Sequence, residues 1–375
     1  MTQANKLHGI GRLALAMAAL ALVGSALAQS GPIRIGEINS YKAQPAFLEP
    51  YKKGMDLAVE EVNAAGGVNG RQLRLINLDD GNDAKRAAEN ARRLVTQDKV
   101  FTLFSQSGTP QTQAVVPLLP ELQVPLVGTT SGADSLRKPN KYLFHTKASY
   151  GQEIAKMAEH MASTGISRVA IVYSDEGAGR EGNALAIAAL GKEGLKPLAS
   201  IGFKPGEGKA AVDKLAALDA QAVILVSLAG PGAEFFKEFV KLANRPQVFT
   251  WSIMVVEQIY KEVGDKAYGL VVSQIVPLPS DRTVGVVRAY QELLKKAKLE
   301  DGGYSGLEAY VGARVLVEGL RRAGRAPTRD GLIAALEGIH DYDLGGDVVN
   351  FVGDEHVGRR IVELTIVGRD GRFLH

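Results

Sequence analysis

The chain has 375 residues, a formal charge of +3 and no cysteine, so disulfides and lipid attachment through an N-terminal cysteine are excluded. Its length predicts about two domains of ~150 residues, each large enough for its own hydrophobic core. Acidic and basic residues are mixed along the chain, which excludes a basic stripe for nucleic acid or anionic lipid.

The first 28 residues have the pattern of an export signal. Lys6 and Arg12 form a basic start, residues 13–23 form an uninterrupted apolar run, and Ala26-Leu27-Ala28 is a small-x-small cleavage site. The alternative is an uncleaved anchor, but the run is shorter than the roughly 17–25 residues that cross a bilayer. We therefore predict a signal peptide, residues 1–28, that is cleaved after Ala28. Loss of its two basic residues lowers the formal charge from +3 to +1.

The next residues predict a strand, a long helix, a glycine-rich exit, a tight turn and a second strand. The two strands are predicted at Ile33–Ile38 and Leu73–Leu78. Gly66-Gly67 predicts a left-handed helix end, and Asn69-Gly70 predicts the turn. The helix shows its apolar face at helical spacing in Tyr51, Met55, Ala58, Val59 and Val62.

Strands and helices then alternate as far as residue 274. Several of the strands are continuous runs of Val, Ile, Leu and Phe, which is typical of parallel sheets that are covered on both faces. The alternation predicts doubly wound α/β domains. The strands are predicted at Val100–Phe104, Leu126–Val127, Val169–Tyr173, Leu198–Phe203, Ala222–Val226, Val248–Trp251 and Leu270–Gln274. The helices are predicted at Asp83–Thr96, Gln111–Pro120, Gln152–Ser163, Gly179–Lys192, Gly232–Ala243 and Val255–Val263.

The alternation of strands and helices ends in the last hundred residues. Three helices follow one another, at Arg282–Lys298, Ser305–Ala323 and Arg329–Gly338. Two strand-like pieces, Val348–Phe351 and Ile361–Val367, then close the chain.

Three segments carry a family resemblance. They are YKKGMDLAVEEVNAAGGVNGR (residues 51–71), LRKPNKYLFHTKASY (136–150) and TRDGLIAALEGIHDYDLGG (328–346). In this order the chain resembles the type I periplasmic solute-binding proteins of ABC importers, in the group that includes the branched-chain amino-acid binders. The resemblance covers essentially all of the chain from Pro32 onward.

The resemblance implies an α/β fold of two doubly wound parallel-sheet lobes joined by a three-strand hinge. Lobe one is expected to contain residues 32–146 plus 278–361, and lobe two residues 147–277 plus 362–375. The three crossings of the hinge are expected near Thr146, at residues 276–279 and within 361–367. A ligand is expected in the cleft between the lobes.

Two hydroxyl-rich loops are predicted to hold a carboxylate. They follow predicted lobe-one strands, and ligands of parallel α/β sheets bind beyond the carboxyl ends of the strands. The family holds its ligand's carboxylate with such loops, which carries this role to Ser105, Ser107, Thr129, Thr130 and Ser131. The alternative is plain helix capping and turn formation, since Ser, Thr and Gly favour those positions anyway.

Aromatic residues near the cleft form a second group of candidates. Tyr150 follows the first hinge crossing, where this branch of the family has an aromatic residue in the cleft. Tyr41 follows the first strand, and Trp251 ends a lobe-two strand beside Ser252. Each could instead be a core residue.

The expected lobe-two side departs from amino-acid binders. The glutamate that those proteins use for the α-ammonium group corresponds to Ser252, and their cleft tyrosines correspond to Ala178 and Leu228. These departures favour a carboxylate without an α-ammonium group over a branched-chain amino acid. Ser252 and Leu228 are therefore ligand candidates. Glu176, beside Asp175 in the loop after a strand, is either a cleft acid or a solvated charge.

No sequence motif of an enzyme, a metal site or a cofactor site is present. The prediction is therefore a periplasmic substrate-binding protein of an ABC transporter, without catalysis, metal or cofactor. It would act as a monomer, capture a small carboxylated or amino-acid-like solute, and deliver it to inner-membrane permease and ATPase subunits. The alternative is a periplasmic sensing module that reports ligand occupancy to a signalling partner.

Overall fold

The computed structural model describes residues 31–300 and 302–374, so the predicted signal peptide lies outside the described residues. The first sheet has five parallel strands: β1 (Ile33–Asn39), β2 (Leu73–Asp79), β3 (Thr102–Gln106), β4 (Leu126–Thr129) and β5 (Leu143–Phe144). Their spatial order is β2-β1-β3-β4-β5. The winding therefore reverses between β1 and β3, which makes this edge the expected place for a ligand.

Four helices connect these strands: α1 (Pro45–Ala64), α2 (Ala84–Thr96), α3 (Thr109–Val115) and α4 (Leu118–Leu122). Helix α1 begins before the predicted face at Tyr51, because the proline at its first position suits a helix start. Gly66 and Gly67 follow it with φ values of 97° and 82°, which confirms the predicted left-handed exit. The helix predicted from Gln111 to Pro120 is interrupted around Pro117 and forms α3 and α4 instead.

A second sheet follows, with five parallel strands: β6 (Val169–Ser174), β7 (Ser200–Phe203), β8 (Ala222–Val226), β9 (Gln247–Thr250) and β10 (Val271–Gln274). Its helices are α5 (Tyr150–Ser163), α6 (Gly177–Lys192), α7 (Gly208–Ala216), α8 (Ala229–Phe239) and α9 (Val256–Val263). Helix α7 is not predicted from the sequence. All five residues of β8 are buried, as its continuous apolar run predicts.

The C-terminal part returns to the first sheet and then to the second. Helices α10 (Gly285–Ala297), α11 (Gly303–Arg322) and α12 (Arg329–Glu337) precede a small hairpin of β11 (Tyr342–Asp343) and β12 (Val348–Val349). Buried side chains of α10, α11 and α12 share a core with β1 and α1. Strands β13 (Glu363–Val367) and β14 (Phe373–Leu374) then join the second sheet in antiparallel pairing beside β10.

Three chain segments connect the two sheets, and one arginine ties them together. Arg359 lies just before β13 and is 2% exposed. Its guanidinium donates to the carbonyl oxygens of Thr146 and Ile275, each at 3.0 Å, and is paired with Asp347. The lobe boundaries 32–146 plus 278–361 and 147–277 plus 362–375 stay a prediction. Every strand of the first sheet falls within the former set, and every strand of the second within the latter.

Candidate ligand-binding site

A cavity of about 560 Å³ lies between the two sheets. Loops after β1, β2, β3 and β4 form one wall, and loops after β6, β8 and β9 form the other. Its position beyond the carboxyl ends of parallel strands is where ligands bind in open α/β sheets. We call it the main cavity. Among its lining residues are Phe47, Asn82, Thr109, Gln111, Thr130, Ser131, Tyr150, Glu176, Ala178, Leu228 and Ile253.

A cluster of hydroxyl groups lines the first-sheet wall. The hydroxyls of Thr109 and Ser131 lie 2.8 Å apart, and the Ser131 hydroxyl also accepts from the backbone N–H of Ala133. The adjacent Thr130 is fixed from behind, because its carbonyl oxygen accepts from the buried Lys147 ammonium at 2.9 Å. Two of the predicted site residues, Thr130 and Ser131, therefore reach the main cavity.

The other three predicted hydroxyls lie behind this wall. Ser105 donates to Asn39 at 3.4 Å, Ser107 accepts from the backbone N–H of Ser40 at 2.9 Å, and Thr129 donates to the carbonyl of Ser131 at 2.8 Å. All three are buried. Their hydrogen bonds join loop residues to one another and hold the loops in shape.

Of the three aromatic candidates, one lines the main cavity and two do not. Tyr150 begins α5 and lines the main cavity, with its ring 4.5 Å from that of Trp251, centroid to centroid. Trp251 is itself 1% exposed and donates its indole N–H to the Ser227 carbonyl, so it is a core residue beneath Tyr150. The Tyr41 hydroxyl donates to the buried carboxylate of Glu37 at 3.0 Å and lies outside the lining.

On the second-sheet wall, the structure distinguishes the two neighbouring acids. Asp175 is paired with Arg180 at 2.6 Å, as a loop charge in solvent would be. Glu176 lines the main cavity together with Ala178 and Leu228. Its Oε1 atom is buried and has no hydrogen-bond partner among the described residues.

Ser252 lies at a second cavity of about 620 Å³, which shares Pro45, Ala46, Phe47 and Gln258 with the main one. Its backbone N–H and hydroxyl donate to Glu153 at 2.7 and 3.1 Å. Ser273 adds a third donor at 2.6 Å. Burial raises the pKa of Glu153, against the opposing effect of the nearby Lys147 charge. An acid therefore does lie beside Ser252, but Glu153 is fully buried and lines neither cavity.

The two lobes touch at both ends of the cleft. At the main cavity, a Cβ added to Gly177 at the start of α6 would lie 3.5 Å from Pro110 in α3. At the second cavity, the rings of Tyr304 and Phe373 meet edge to face at 4.9 Å. The two lobes therefore approach each other directly beside both cavities.

Several residues that line the main cavity are not predicted from the sequence. The wall also includes Gln111, Asn82 and Ile253. Each lies several residues beyond the end of a strand, and the sequence pattern does not show which residues of such a loop face the cavity. In the acidic turn after β2, Asp83 caps α2 by accepting from the backbone N–H of Arg86. Within the described residues, no helix combines the length and apolarity that a membrane span requires.

Comparison with known proteins identifies relatives over nearly the whole chain. The periplasmic binding protein family matches residues 32–371. The Leu/Ile/Val-binding protein homolog 3 of Brucella melitensis is 26% identical over 338 residues, covering 88% of this chain and 89% of that protein. A leucine-, isoleucine-, valine-, threonine-, and alanine-binding protein of Pseudomonas aeruginosa is 25% identical, covering 92% and 95%.

A solved structure agrees with these relatives. The substrate-binding periplasmic protein from Ralstonia solanacearum has a TM-score of 0.85 at 28% identity, covering 91% of this chain and 99% of that one. The relatives are solute-binding proteins rather than enzymes. The sheets, the crossings and the cavity between them have the architecture of the type I fold. The chain belongs to the periplasmic binding protein family.

Proposed function

We propose that this chain is the substrate-binding protein of an ABC importer. The observation that carries the proposal is the main cavity, whose wall comes from loops of both sheets. A solute bound there contacts both lobes at once. Its binding is thereby coupled to the arrangement of the lobes, which a permease in the membrane can recognise.

The proposed ligand is a small carboxylated or amino-acid-like solute. The names of the relatives support this class, since they bind leucine, isoleucine, valine and, in one case, threonine and alanine. The hydroxyls of Thr109, Thr130 and Ser131 would hold its carboxylate, because hydroxyl donors are suited to an anionic oxygen. Phe47 and Leu228 offer an apolar surface for the rest of the molecule.

The remaining candidates would support this site. Ser105, Ser107 and Thr129 would hold the hydroxyl-bearing loops in shape through their own hydrogen bonds. Tyr150 would form the floor between the lobes. Closure would proceed by hinge rotation, and the ligand would drive it by binding the closed arrangement more tightly than the open one.

In the cell, the chain would act in the periplasm after cleavage behind Ala28. It would work as a monomer and pass its solute to permease and ATPase subunits in the inner membrane. The same clamshell could instead report occupancy to a signalling partner. Uptake assays distinguish the two functions, because a binding protein of an importer is required for uptake of its solute whereas a sensor is not.

The experiment begins with the solute that co-purifies with the exported protein. The protein is denatured, the released solute is identified by mass spectrometry, and its affinity for refolded protein is measured by calorimetry. We expect Thr130→Val and Ser131→Ala to weaken binding by about 1–3 kcal/mol each, the usual scale for a hydrogen bond to a charged group. Lys138→Met, an exposed site outside the lining, is the control. Unchanged affinity in both wall variants would place the carboxylate elsewhere.

A further inference from the structure

The second cavity adjoins the main cavity. Residues 45–47, in the first turn of α1, and Gln258 of α9 line both of them. In the loop after β9, Ile253 lines the main cavity, whereas Ser252 and Met254 line the second one. The two cavities are therefore neighbouring compartments of one cleft between the lobes, and the boundary between them lies where α1 faces α9.

This cleft is large for a single amino acid. The main cavity has a volume of about 560 Å³ and the second cavity one of about 620 Å³. Each lies within the range of about 300–1,000 Å³ in which protein pockets enclose drug-sized molecules. A single amino acid is smaller than such molecules, so one bound at the hydroxyl cluster of the main cavity would leave the second compartment to solvent.

The inner surface of the second cavity is uncharged. Phe47, Met254 and Gln274 line it and are 8%, 2% and 2% exposed. The rings of Tyr304 and Phe373, one from each lobe, also line it. The charged residues of the lining are all exposed, and they are Glu49, Lys53, Glu257, Lys261 and Glu300. A charged group held deep in this cavity would lack a buried partner in the lining, which is strongly unfavourable.

The polar side chains of this inner surface already have partners. Ser252 donates its hydroxyl to Glu153 at 3.1 Å, and Gln274 donates its amide nitrogen to Thr365 at 3.4 Å. An apolar group can therefore lie against both side chains without depriving them of these hydrogen bonds. The second cavity thus suits an uncharged and largely apolar group.

We propose that the second cavity is a subsite for the uncharged, apolar tail of an elongated carboxylate. This inference rests on the proposed function and specifies its ligand. The carboxylate lies at Thr130 and Ser131, and the tail passes Phe47 and Gln258 into the second compartment. Phe47 gives this passage a continuous apolar side, because it lines both cavities. The main cavity then selects the carboxylate end of the ligand, and the second cavity selects its length.

The test measures how affinity depends on the length of the tail. The probes are phenylacetate, 4-phenylbutanoate, 6-phenylhexanoate and 8-phenyloctanoate, which share a carboxylate and an uncharged aryl tail. Each is titrated by calorimetry into the mature protein after unfolding and refolding to remove bound solute. We expect the affinity to rise by about 3- to 4-fold for each methylene group that enters the second cavity, the scale for a buried methylene.

The variant Ser305→Trp fills the second cavity. Ser305 lies in the first turn of α11 and lines the second cavity but not the main one. We expect this variant to weaken binding of 8-phenyloctanoate by about 10-fold or more, and that of phenylacetate by less than about 3-fold. Ser305→Ala should keep the affinity for the long probe, because it removes the hydroxyl without filling the cavity.

A second variant narrows the passage from the other lobe. Gln258→Trp should weaken binding of 8-phenyloctanoate more than that of phenylacetate, because Gln258 lies at the boundary of the two cavities. Lys138→Trp is the matched control for both variants, since it adds the same ring at an exposed site outside both linings. Melting temperatures of the ligand-free variants show whether a loss of binding reflects a loss of folding.

The outcomes separate this inference from the proposed function. If the affinity does not depend on tail length, or rises equally in Ser305→Trp, the proposed function stands and the subsite is wrong. Equal weakening of phenylacetate and 8-phenyloctanoate in both tryptophan variants would also show that the subsite is wrong. If L-leucine binds and no phenylalkanoate does, the ligand is a compact amino acid and the elongated class is wrong. If neither L-leucine nor any phenylalkanoate binds, the proposed ligand class fails together with the subsite.

Discussion

Glu37 is a buried carboxylate of strand β1, and its ionisation lowers the stability of the fold at neutral pH. It is 1% exposed and accepts from Asn77 at 2.8 Å and from Tyr41 at 3.0 Å. Burial raises its pKa above the ordinary value of 4.5, although the bond from Asn77 works in the other direction. The folded state therefore holds this proton more tightly than the unfolded state does.

We predict a pH-dependent difference between the natural protein and Glu37→Gln. As the pH rises from about 4.5 through the raised pKa, the unfolded state loses the proton first, so the stability contributed by Glu37 falls. The free energy of unfolding of the natural protein should then decline relative to that of Glu37→Gln, and the difference should level off at higher pH. Urea denaturation at a series of pH values measures this. A difference that grows in favour of the natural protein would contradict the assignment.

Lys147 and Glu308 form a buried ion pair that supports the candidate site. Their charged atoms are 2.9 Å apart and their side chains are 1% and 8% exposed. We expect Lys147→Met to cost about 3–5 kcal/mol of unfolding free energy, because it leaves a buried carboxylate without its partner. Ligand binding should weaken too, since Lys147 also holds the carbonyl oxygen of Thr130.

The control for this pair is Lys141→Met. Lys141 pairs with Asp330 at 2.8 Å, but both side chains are more than half exposed. Exposed pairs contribute about 0–1 kcal/mol, so this variant should differ little from the natural protein. The double variant Lys147→Met with Glu308→Leu should recover part of the loss. Equal losses of unfolding free energy in Lys147→Met and Lys141→Met would show that the buried pair stabilises the fold no more than the exposed pair does.

At the level of single residues, the sequence predicted two loops that line the cavity but not which of their side chains face it. Ser105, Ser107, Thr130 and Ser131 have the same chemistry and follow strands in the same way. Their roles differ because Ser105 has a φ of 59° and Ser107 bonds to the neighbouring loop at Ser40. The expectation of an ammonium-free ligand rested on Ser252, Ala178 and Leu228, and it stays a prediction.

At the level of elements, the apolar runs predicted the strands of both sheets to within a few residues, except for the two-residue strands β5 and β14, which were not predicted. Strand β6 was predicted at Val169–Tyr173 and is found at Val169–Ser174, because its continuous burial leaves little ambiguity. Helix α7 was missed, since Gly208–Ala216 is short and begins with glycine after Gly206. The predicted piece Val348–Phe351 forms only the two-residue strand β12, which pairs with a turn-rich segment before it.

The three crossings between the sheets depend on Arg359, and this dependence yields a prediction. We expect Arg359→Met to lower the free energy of unfolding by about 3–5 kcal/mol, because Asp347 is 3% exposed and would be left as an unpaired buried charge. Arg359→Lys should also be destabilising. A lysine keeps the charge but has no planar fork of donors to reach Thr146, Ile275 and Asp347 together.

Arg360→Met provides the comparison for Arg359. Arg360 is the next residue, it is exposed, and it donates to the carbonyl of Val357 within the same segment. Its substitution should change the free energy of unfolding by less than about 0.5 kcal/mol, as for most surface positions. Urea denaturation of the three variants gives the comparison. If Arg359→Met matched Arg360→Met, the guanidinium would not be what holds the crossings together.

The whole molecule consists of two lobes that meet across the cleft, and this arrangement can be trapped. The chain has no cysteine, so an introduced pair has no competing thiol. Position 177 begins α6, position 110 lies in α3, and a Cβ at 177 would be 3.5 Å from the Pro110 ring. The atom at 3.5 Å is Cγ of Pro110, and its Cβ lies more than 4 Å from that position. Disulfides join residues whose Cβ atoms are about 3.5–4.5 Å apart, so Pro110→Cys with Gly177→Cys should form one after a small adjustment of the two loops when the lobes are in contact.

We predict that this disulfide fixes the protein at the smaller of two sizes. With ligand removed by unfolding and refolding, the reduced double variant should open by hinge rotation and show a larger radius of gyration in small-angle X-ray scattering. Oxidation should return it to the closed value. Each single-cysteine variant should be unaffected by oxidant as a monomer. If the ligand-free reduced protein already has the closed radius, opening does not precede binding, and a solute would have to enter the main cavity through local loop movement instead.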